Sequence, residues 1–325
     1  MTDLSSPSRN SQTRKSELLF SGSNTKHSAV DDCKILSSWV GKDCCLWERI
    51  HCDSLTGTID SLNLRGDYYD GGDNCLVGNE VNSSLVELRH LKYLDLSGNH
   101  FLGIRILEFI GSFNQLRYLN LSGFQGIIHP HIGNLSNLKV LDLSSNFNLV
   151  SNDMSWTFGL PSLEHLDLSW VDLGGAMNMD MVLHYLPLLK ELSLYKCGLS
   201  NVDLGSSLNS SRILANMKHL DLGFNSFKNP LPRFFRNMTS LEFLDLSKFN
   251  LSLSWNFASL INMISSSLSE LNLSRCGLHN THLSSTHFNI STLSNIQYLD
   301  LSQNSIEDIF PSVFSNMSSL KVLYL

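Results

Sequence analysis

The sequence has few charged residues and no long apolar run. Charged residues make up 16% of its 325 residues, against about 25% in ordinary soluble domains, while the apolar fraction of 42% is close to normal. Disorder requires high charge and few large apolar residues, so this composition argues against it. Since no stretch reaches the roughly 18 consecutive apolar residues of a membrane-spanning helix, the sequence predicts no such helix.

Basic runs and common catalytic motifs are also missing. The net charge is −7, whereas a surface for DNA or RNA needs clustered lysines and arginines. The sequence contains no Gly-rich phosphate loop, no H-E-x-x-H and no G-x-S-x-G motif. These absences disfavour a nucleic-acid-binding protein and the enzyme classes that carry those motifs.

Leucine, serine and asparagine are abundant, with 59, 51 and 30 residues. They recur in the frame L-x-x-L-x-L-x-x-N, seen in Leu91–Asn99 and preceded by a weaker copy at Ile59–Leu64. The interval averages about 25 residues, inside the range of leucine-rich repeats. Position 1 of the frame falls at Leu91, Leu116, Leu138, Leu163, Leu189, Met217, Leu241, Leu268, Ile296 and Leu320.

The frame also predicts the architecture. Apolar and polar residues alternate in L-x-L, as in a short strand with one buried face. Each strand is followed by a long return and another strand, so neighbouring strands pair in parallel, and stacking buries the leucines between coils. We predict an α/β repeat solenoid: a right-handed leucine-rich-repeat superhelix with a parallel sheet on its concave face and irregular, short-helical or 3₁₀ returns on its convex side.

Position 9 of the frame turns the chain out of the strand. It is Asn99, Asn146, Asn225 or Asn304 in four copies and cysteine in two others, and small polar or thiol groups suit a buried corner. Phe124, Val171 and Phe249 depart from this pattern, so we expect those coils to turn differently. Departures are also frequent in the returns, where we expect a second strand in some coils and none in others.

A cysteine-containing segment precedes the repeats. It includes Leu36-Ser-Ser-Trp39, Cys44-Cys45 and Cys52, and a stapled lid suits the exposed leucines of a first coil. This string resembles the N-terminal cap of plant leucine-rich-repeat receptor-like proteins, and the first repeats look most like receptors for fungal xylanase-type elicitors. The resemblance implies a Cys45–Cys52 disulfide. The family's usual upstream partner of Cys44 has no counterpart in this sequence, and Cys33, 11 residues before Cys44, is the candidate substitute. Arg49 stands where the family usually has glycine.

The predicted domains follow from these features. Residues 1–32 are Ser-rich and lack a signal-peptide core, so we expect disorder there. A cap at 33–58 and a solenoid at 59–325 follow, with about ten to eleven repeats, the last incomplete. Because the family carries a signal peptide and a C-terminal membrane helix, the resemblance leads us to expect a sequence truncated at both ends.

Two His-x-Asp pairs resemble acid–base or metal-binding groups. They are His165 with Asp167 and His219 with Asp221. Both aspartates occupy frame position 5, which is Asp or Asn in most copies, so we interpret them as structural. The sequence therefore predicts no enzyme, no metal and no cofactor.

The side chains that point away from the core are the candidate binding residues, because repeat proteins bind on the concave face. Frame positions 3 and 8 vary, and they supply aromatic and cationic groups of the kind that contribute most interface energy. These candidates are Tyr93, Tyr118, His165, Trp170, His219, Phe224, Phe243, Lys248, Arg275 and Tyr298.

Nine N-x-S/T sequons occur. Asn120 and Asn272 lie in predicted concave-face strands, where a glycan blocks ligand access. The candidate glycosylation sites are instead Asn82, Asn134, Asn209, Asn237, Asn289 and Asn316.

The resemblance implies a function. It indicates the ligand-binding ectodomain of a plant cell-surface receptor-like protein, at the extracellular face of the plasma membrane, that recognises an elicitor or partner receptor in defence or developmental signalling. Implied partners are a protein or peptide ligand and a co-receptor kinase, with no nucleic acid and with membrane attachment only through a missing C-terminal helix. A soluble inhibitor of a cell-wall-degrading enzyme, similar to polygalacturonase inhibitors, and a non-functional truncated product are the alternatives.

Overall fold

A computed structural model gives the fold. It describes 35–41, 43–67, 75–78, 81, 83–101, 103, 105–106, 108–201, 203, 212–227, 235, 237–252, 267–283, 294–306, 314 and 317–325. The chain divides into two compact units. Unit 1 contains 1–151 and 156–163, and unit 2 contains 152–155 and 164–325.

Short strands form the main sheet of each unit, and each frame copy contributes one strand of three residues. In unit 1, β4, β6 and β8 follow β2 in parallel, while β1 pairs with β2 in the antiparallel sense. Unit 1 contains β1 (Ile50–Cys52), β2 (Ile59–Asn63), β3 (Val77–Gly78), β4 (Tyr93–Asp95), β5 (His100–Phe101), β6 (Tyr118–Asn120), β7 (Gln125–Ile127), β8 (Val140–Asp142) and β9 (Asn148–Val150).

The main sheet of unit 2 is parallel throughout. Its strands pair in chain order, and the central leucine of each L-x-L segment faces the same leucine of the next coil. The predicted leucine-rich-repeat solenoid with a parallel sheet is confirmed. The strands are β10 (His165–Asp167), β11 (Glu191–Ser193), β12 (His219–Asp221), β13 (Phe243–Asp245), β14 (Glu270–Asn272), β15 (Tyr298–Asp300) and β16 (Val322–Tyr324).

The returns contain short 3₁₀ segments and second strands. In unit 1, β3 pairs with β5 and β7 with β9, whereas described residues of unit 2 show only the isolated bridges Asp153–Met177 and His279–Ser305. Among the described residues, the α-helix is the single turn Val182–Tyr185. The 3₁₀ segments are Cys44–Leu46, Ser83–Glu87, Glu108–Ser112, Pro130–Asn134, Ser155–Gly159, Met179–Met181, Arg212–Asn216 and Asn280–Leu283.

The cap covers the first repeat with tryptophan and an antiparallel strand. Trp39 is fully buried and stacks on Trp47 with ring centroids 5.1 Å apart. A disulfide joins Cys45 to Cys52, with a Cα–Cα distance of 5.6 Å, while Cys33 lies outside the described residues. The φ of Arg49 is 68°, which explains why related caps place glycine there, since glycine adopts this left-handed conformation without strain.

The frame leucines form the core of each unit. Leu91, Leu94 and Leu96 are at most 1% exposed, and the equivalent side chains of the later copies up to Leu301 are at most 4% exposed. Each buried leucine side chain stabilises the fold by roughly 1.5–3 kcal/mol relative to its exposed state. A single coil has no second layer to cover these leucines, so neighbouring coils must supply that burial.

The asparagines at position 9 join each coil to the coil before it. Asn225 Nδ2 donates to the Leu222 carbonyl of its own coil at 2.9 Å and to the Leu194 carbonyl of the preceding coil at 2.7 Å. Its Oδ1 accepts the N–H groups of Cys197 and Leu199, both at 3.0 Å. Asn304 makes the equivalent four bonds. Asn146 donates to the equivalent two carbonyls, but its Oδ1 accepts the N–H groups of Gly123 and Phe124.

Cysteine at position 9 keeps one of these bonds. The Cys197 thiol donates to the Leu168 carbonyl at 3.1 Å, and the Cys276 thiol donates to Leu246 at 3.2 Å. Burial raises the pKa of the Cys276 thiol to about 12. Cys197 and Cys276 are therefore neutral hydrogen-bond donors in the fold rather than reactive thiolates.

The expectation that Phe124, Val171 and Phe249 mark different turns is wrong. In all nine complete copies the residue at position 8 has a positive φ, between 56° and 102°. The three coils therefore leave the strand by the same left-handed step as the asparagine coils. Their large apolar side chains are at most 4% exposed and fill the corner by packing.

Removal of one asparagine tests this link between coils. We expect Asn225→Ala to lower the free energy of unfolding by about 3–4 kcal/mol, because two buried carbonyls and two N–H groups lose their partner. Urea unfolding followed by circular dichroism measures the change. Ser226→Ala, at the exposed neighbouring residue, is the control, and equal stability of the two variants would contradict the proposed link.

Candidate functional site

The strand face is the candidate functional surface. We define it as the side chains at frame positions 3, 5, 7 and 8, which lie in the strands or in the turn that follows them. The alternation of a strand places positions 3 and 5 opposite the buried leucines. All ten predicted binding residues lie at positions 3 or 8, and each is at least partly exposed.

The acidic stripe at position 5 shapes the turn. Asp95 Oδ1 accepts the N–H of Ser97 at 2.9 Å, and Asp167 Oδ1 accepts that of Ser169 at 2.8 Å. Asparagine makes the same bond in Asn120. A side-chain oxygen that accepts the N–H two residues later forms an Asx turn, which explains why Asp or Asn predominates at position 5.

The neighbouring tyrosines of unit 1 form one cluster on this face. Tyr93 and Tyr118 stack with ring centroids 4.2 Å apart. Their hydroxyls donate to the same oxygen, Asp95 Oδ2, at 3.3 and 3.5 Å. Burial, followed by the influence of Tyr118 and Asp95, raises the pKa of Tyr93 above its ordinary value. Both tyrosines are therefore neutral, partly exposed hydrogen-bonding groups.

The two His-x-Asp pairs do not form acid–base dyads. His165 Nδ1 lies 2.7 Å from a carboxylate oxygen of Glu191, in the next coil, rather than against Asp167. His219 stacks on Phe243 with ring centroids 4.0 Å apart, and burial lowers the pKa of its imidazole. The histidines therefore take part in the packing of position 3.

Unit 2 carries an aromatic–cation row. The row consists of Trp170, Tyr195, Lys196, Phe224, Lys248 and Arg275, at positions 7 and 8 of successive coils. The Tyr195 ring lies between two others, with centroids 5.9 Å from Trp170 and 5.2 Å from Phe224.

Three cations lie over these rings. Lys196 Nζ is 3.6 Å from the centroid of Trp170, close enough for a cation–π interaction. Lys248 Nζ and Arg275 Cζ lie 5.9 and 5.4 Å from the centroid of Phe224. All three cationic side chains belong to exposed residues.

Bulky side chains in this row occupy a strained backbone conformation. Trp170 and Phe224 have φ of 73° and 56°, where an L-residue costs roughly 1–2 kcal/mol. Unit 1 uses Gly98 and Gly123 at the same position. Ser145 and Gln303, outside the row, have φ of 57° and 58°, so the left-handed turn is a property of the repeat, and the side chain displayed on it varies between coils.

Two acids lie beside the row, Asp245, which is buried, and Asp221, which is partly buried. Burial, with the neighbouring Asp245 as the next cause, raises the pKa of Asp221 to about 7. Burial also raises the pKa of Asp245, although Ser247 and Asn272 bond to it and act in the opposite direction. Gly223 makes room here, since an added Cβ lies 2.6 Å from Asp245 Oδ1.

A second group of titratable side chains lies in the returns of unit 1. His129 Nε2 is 3.0 Å and His131 Nδ1 3.9 Å from the Glu108 carboxylate, a spacing compatible with a metal ion. The backbone N–H of His131 donates to His129 Nδ1. In the neutral form of the His129 ring, the proton is therefore on Nε2, which faces Glu108. A metal at Nε2 requires the opposite tautomer. We therefore interpret these three side chains as a hydrogen-bonded contact between two neighbouring coils.

The structure separates the sequons into two classes. Asn120 and Asn272 donate through Nδ2 to Asp142 and Asp245, at 2.8 and 2.7 Å, so their amides are already occupied. Asn134 is exposed and Asn237 partly exposed, both in 3₁₀ segments of the returns. The other predicted acceptors, Asn82, Asn209, Asn289 and Asn316, lie outside the described residues.

Sequence reasoning missed three residues of the strand face. Tyr195 occupies position 7, where the other copies have serine or glycine, and that departure was visible in the sequence. Lys196 lies at frame position 8, which varies between the copies. The role of Glu191 depends on His165 in the preceding coil, and the frame alone does not pair side chains across coils.

Comparison with known proteins identifies the family. Models described as leucine-rich repeats match residues 266–325, and 90–112 and 216–238. The receptor-like protein EIX1 of Solanum lycopersicum is 36% identical over 68% of this chain and 22% of its own length. Its relative EIX2, from the same species, is 36% identical over 92% of this chain and 30% of its own.

The chain belongs to the plant leucine-rich-repeat receptor-like proteins. It spans less than a third of the length of these curated relatives. Among solved structures, that of PEPR1-AtPEP1 is 25% identical, with a TM-score of 0.58 over 88% of this chain and 41% of that one. Within the described residues of this receptor-like chain, no helix has the length and apolar character needed to cross a membrane.

The strain in the row predicts an unusual gain in stability. In Lys248→Gly, relief of the left-handed strain outweighs the added flexibility of the unfolded chain, so we expect the free energy of unfolding to rise by about 0.5–1 kcal/mol. Urea unfolding measures it. Lys190→Gly, also at an exposed lysine, is the control and should be less stable than wild type. A loss of stability in both variants would contradict the proposed backbone strain at Lys248.

Burial of Asp221 predicts a pH-dependent stability. Because its pKa is raised from 3.8 to about 7 on folding, the folded chain binds more protons in that range, and stability falls as pH rises from 4 to 7. We expect Asp221→Asn, which keeps the oxygen that accepts the Gly223 N–H, to gain about 2–4 kcal/mol at pH 8 and little at pH 4.

Urea unfolding at several pH values tests this expectation. Asp172→Asn, at an exposed aspartate that also bonds a backbone N–H, is the control. A gain for Asp221→Asn that is the same at pH 4 and pH 8 would show that its carboxyl titrates alike in the folded and unfolded chains.

Proposed function

We propose that this chain is the ligand-binding part of a plant cell-surface receptor-like protein, and that the strand face recognises a protein or peptide. The observation that carries the proposal is the row of partly exposed rings and exposed cations across successive coils of unit 2. Such groups contribute most of the energy at protein interfaces. The named relatives are receptor-like proteins, which supports the same role.

The chemistry of the chain supports a binding role at the cell surface rather than catalysis. The Cys45–Cys52 disulfide suits the oxidising secretory route. His165 pairs with Glu191 and His219 stacks on Phe243, which supports a packing role for the histidines of the strand face. We therefore propose an extracellular, non-catalytic chain that acts in defence or developmental signalling with a co-receptor kinase.

Binding of an elicitor protein tests the proposal. The probe is a purified fungal xylanase, the elicitor class that the resemblance implies, with the chain secreted and immobilised for biolayer interferometry. We expect saturable binding that weakens about tenfold in the double variants Tyr93→Ala/Tyr118→Ala and His219→Ala/Phe243→Ala. Phe147→Ala, at an exposed ring of the returns, is the control and should bind as wild type.

Two outcomes contradict the proposed function. One is the absence of binding up to about 100 μM xylanase. The other is binding that Phe147→Ala weakens while both strand-face variants keep it, since the ligand would then contact the returns.

A further inference from the structure

The three cations of the aromatic–cation row differ from the other lysines of the strands. Two lysines at frame position 2 pair with acids of neighbouring coils: Lys190 with Glu164 at 2.6 Å and Lys218 with Glu242 at 2.7 Å. Within the described part of the chain, Lys196, Lys248 and Arg275 form no ion pair, and their partners are rings and Gln303. Their charges therefore remain available to a ligand.

The acidic side chains of the strand face are either less exposed than the three cations or lie at a different position along the strands. Asp245 is 6% exposed, and Asp221 is partly buried and caps its own turn. Glu191 and Glu270 lie at position 3, five residues before the cations, and Glu191 pairs with His165. The outermost charge along the row is therefore positive.

The turns of the row do not themselves require cations. Lys196, Lys248 and Arg275 have φ of 56°, 65° and 58°, where glycine folds with less strain. No contact within the described residues requires a cation at these turns, since Gly98 and Gly123 make the same turn in unit 1. The side chains that add strain are the ones that carry the unpaired charge.

The spacing of the row limits the shape of its ligand. Neighbouring parallel strands lie about 4.8 Å apart, so Lys196 and Lys248, two coils apart, are separated by roughly 10 Å across the sheet. An extended peptide advances about 3.3 Å per residue. Acidic side chains about three residues apart thus match the two lysines, with Arg275 one coil beyond, and the rings between them accept apolar groups.

We propose that the aromatic–cation row binds an extended acidic peptide segment of the partner, which crosses the strands with carboxylates about three residues apart. This inference rests on the proposed receptor function and deepens it, because it names the chemistry of the ligand and the part of the strand face that takes it.

Fluorescence polarisation with defined peptides tests it on the full secreted chain. The probe is a labelled, end-blocked peptide of glycine, alanine and serine with glutamate at every third position, and the comparison peptides carry glutamine instead, or the same glutamates in one block. We expect the spaced glutamate peptide to bind about tenfold more tightly than the glutamine peptide and about threefold more tightly than the blocked one, with affinity falling as salt increases.

Charge-reversed variants locate the binding. Lys248→Glu/Arg275→Glu should weaken the glutamate peptide at least about tenfold, and circular dichroism with urea unfolding verifies that the variant folds. Lys248→Gly provides a second variant, which removes the charge and relieves the strain, and should also weaken binding. Lys218→Glu, the same charge change at position 2, is the control and should leave the affinity within about twofold.

Several outcomes would overturn the inference. They are equal affinity for the glutamate and glutamine peptides, equal affinity for spaced and blocked glutamates, unchanged binding in both Lys248 variants, and tighter binding of an anionic oligosaccharide such as oligogalacturonate. If the elicitor binds and the Tyr93/Tyr118 and His219/Phe243 variants weaken that binding, while the glutamate peptide does not bind, only this inference is lost. If the peptide binds and the elicitor does not, the row is supported and the xylanase-type ligand is wrong.

Discussion

The burial of leucine between coils is the constraint on which the structure depends. A coil of about 25 residues cannot cover its own apolar side chains, so each must pack its three frame leucines against the next coil. That packing sets the register of the parallel strands, Leu192 against Leu220 and Leu220 against Leu244. Once the register is set, every other frame position also forms a row across coils. The rows of the strand face therefore result from how the core packs.

The fold could be predicted from the sequence because its signal is repeated and local. Alternating leucines and a constant interval indicate parallel strands in any copy, and the Cys-Trp segment indicates a lid. The uniform turn could not be predicted. Trp170 and Phe224 are poor residues for a left-handed conformation, and nothing nearby in the sequence signals it. The neighbouring coils impose that conformation, through Asx caps at position 5 and backbone bonds such as that from the Trp170 N–H to the Tyr195 carbonyl.

The candidate surface could also be predicted only in part. The frame positions alone predicted the ten variable residues, and all of them lie on the strand face. Their pairings could not be predicted, because the partners are some 22 to 30 residues apart in the chain and the choice depends on side-chain reach. The Tyr93–Tyr118 stack and the His165–Glu191 pair arise in this way. The raised pKa of Asp221 is likewise a property of burial beside Asp245 rather than of any motif.

The shared turn has a consequence for how binding specificity can change. Nine backbone-equivalent turns present Gly98, Gly123, Ser145, Trp170, Lys196, Phe224, Lys248, Arg275 and Gln303 in the same left-handed conformation. Their geometry is set by groups at other positions, so the residue displayed can be exchanged without moving the backbone. A substitution at position 8 can therefore change the side chain displayed on the strand face while leaving the scaffold intact. The composition of the displayed surface and the preservation of the fold then depend on different positions of one repeat.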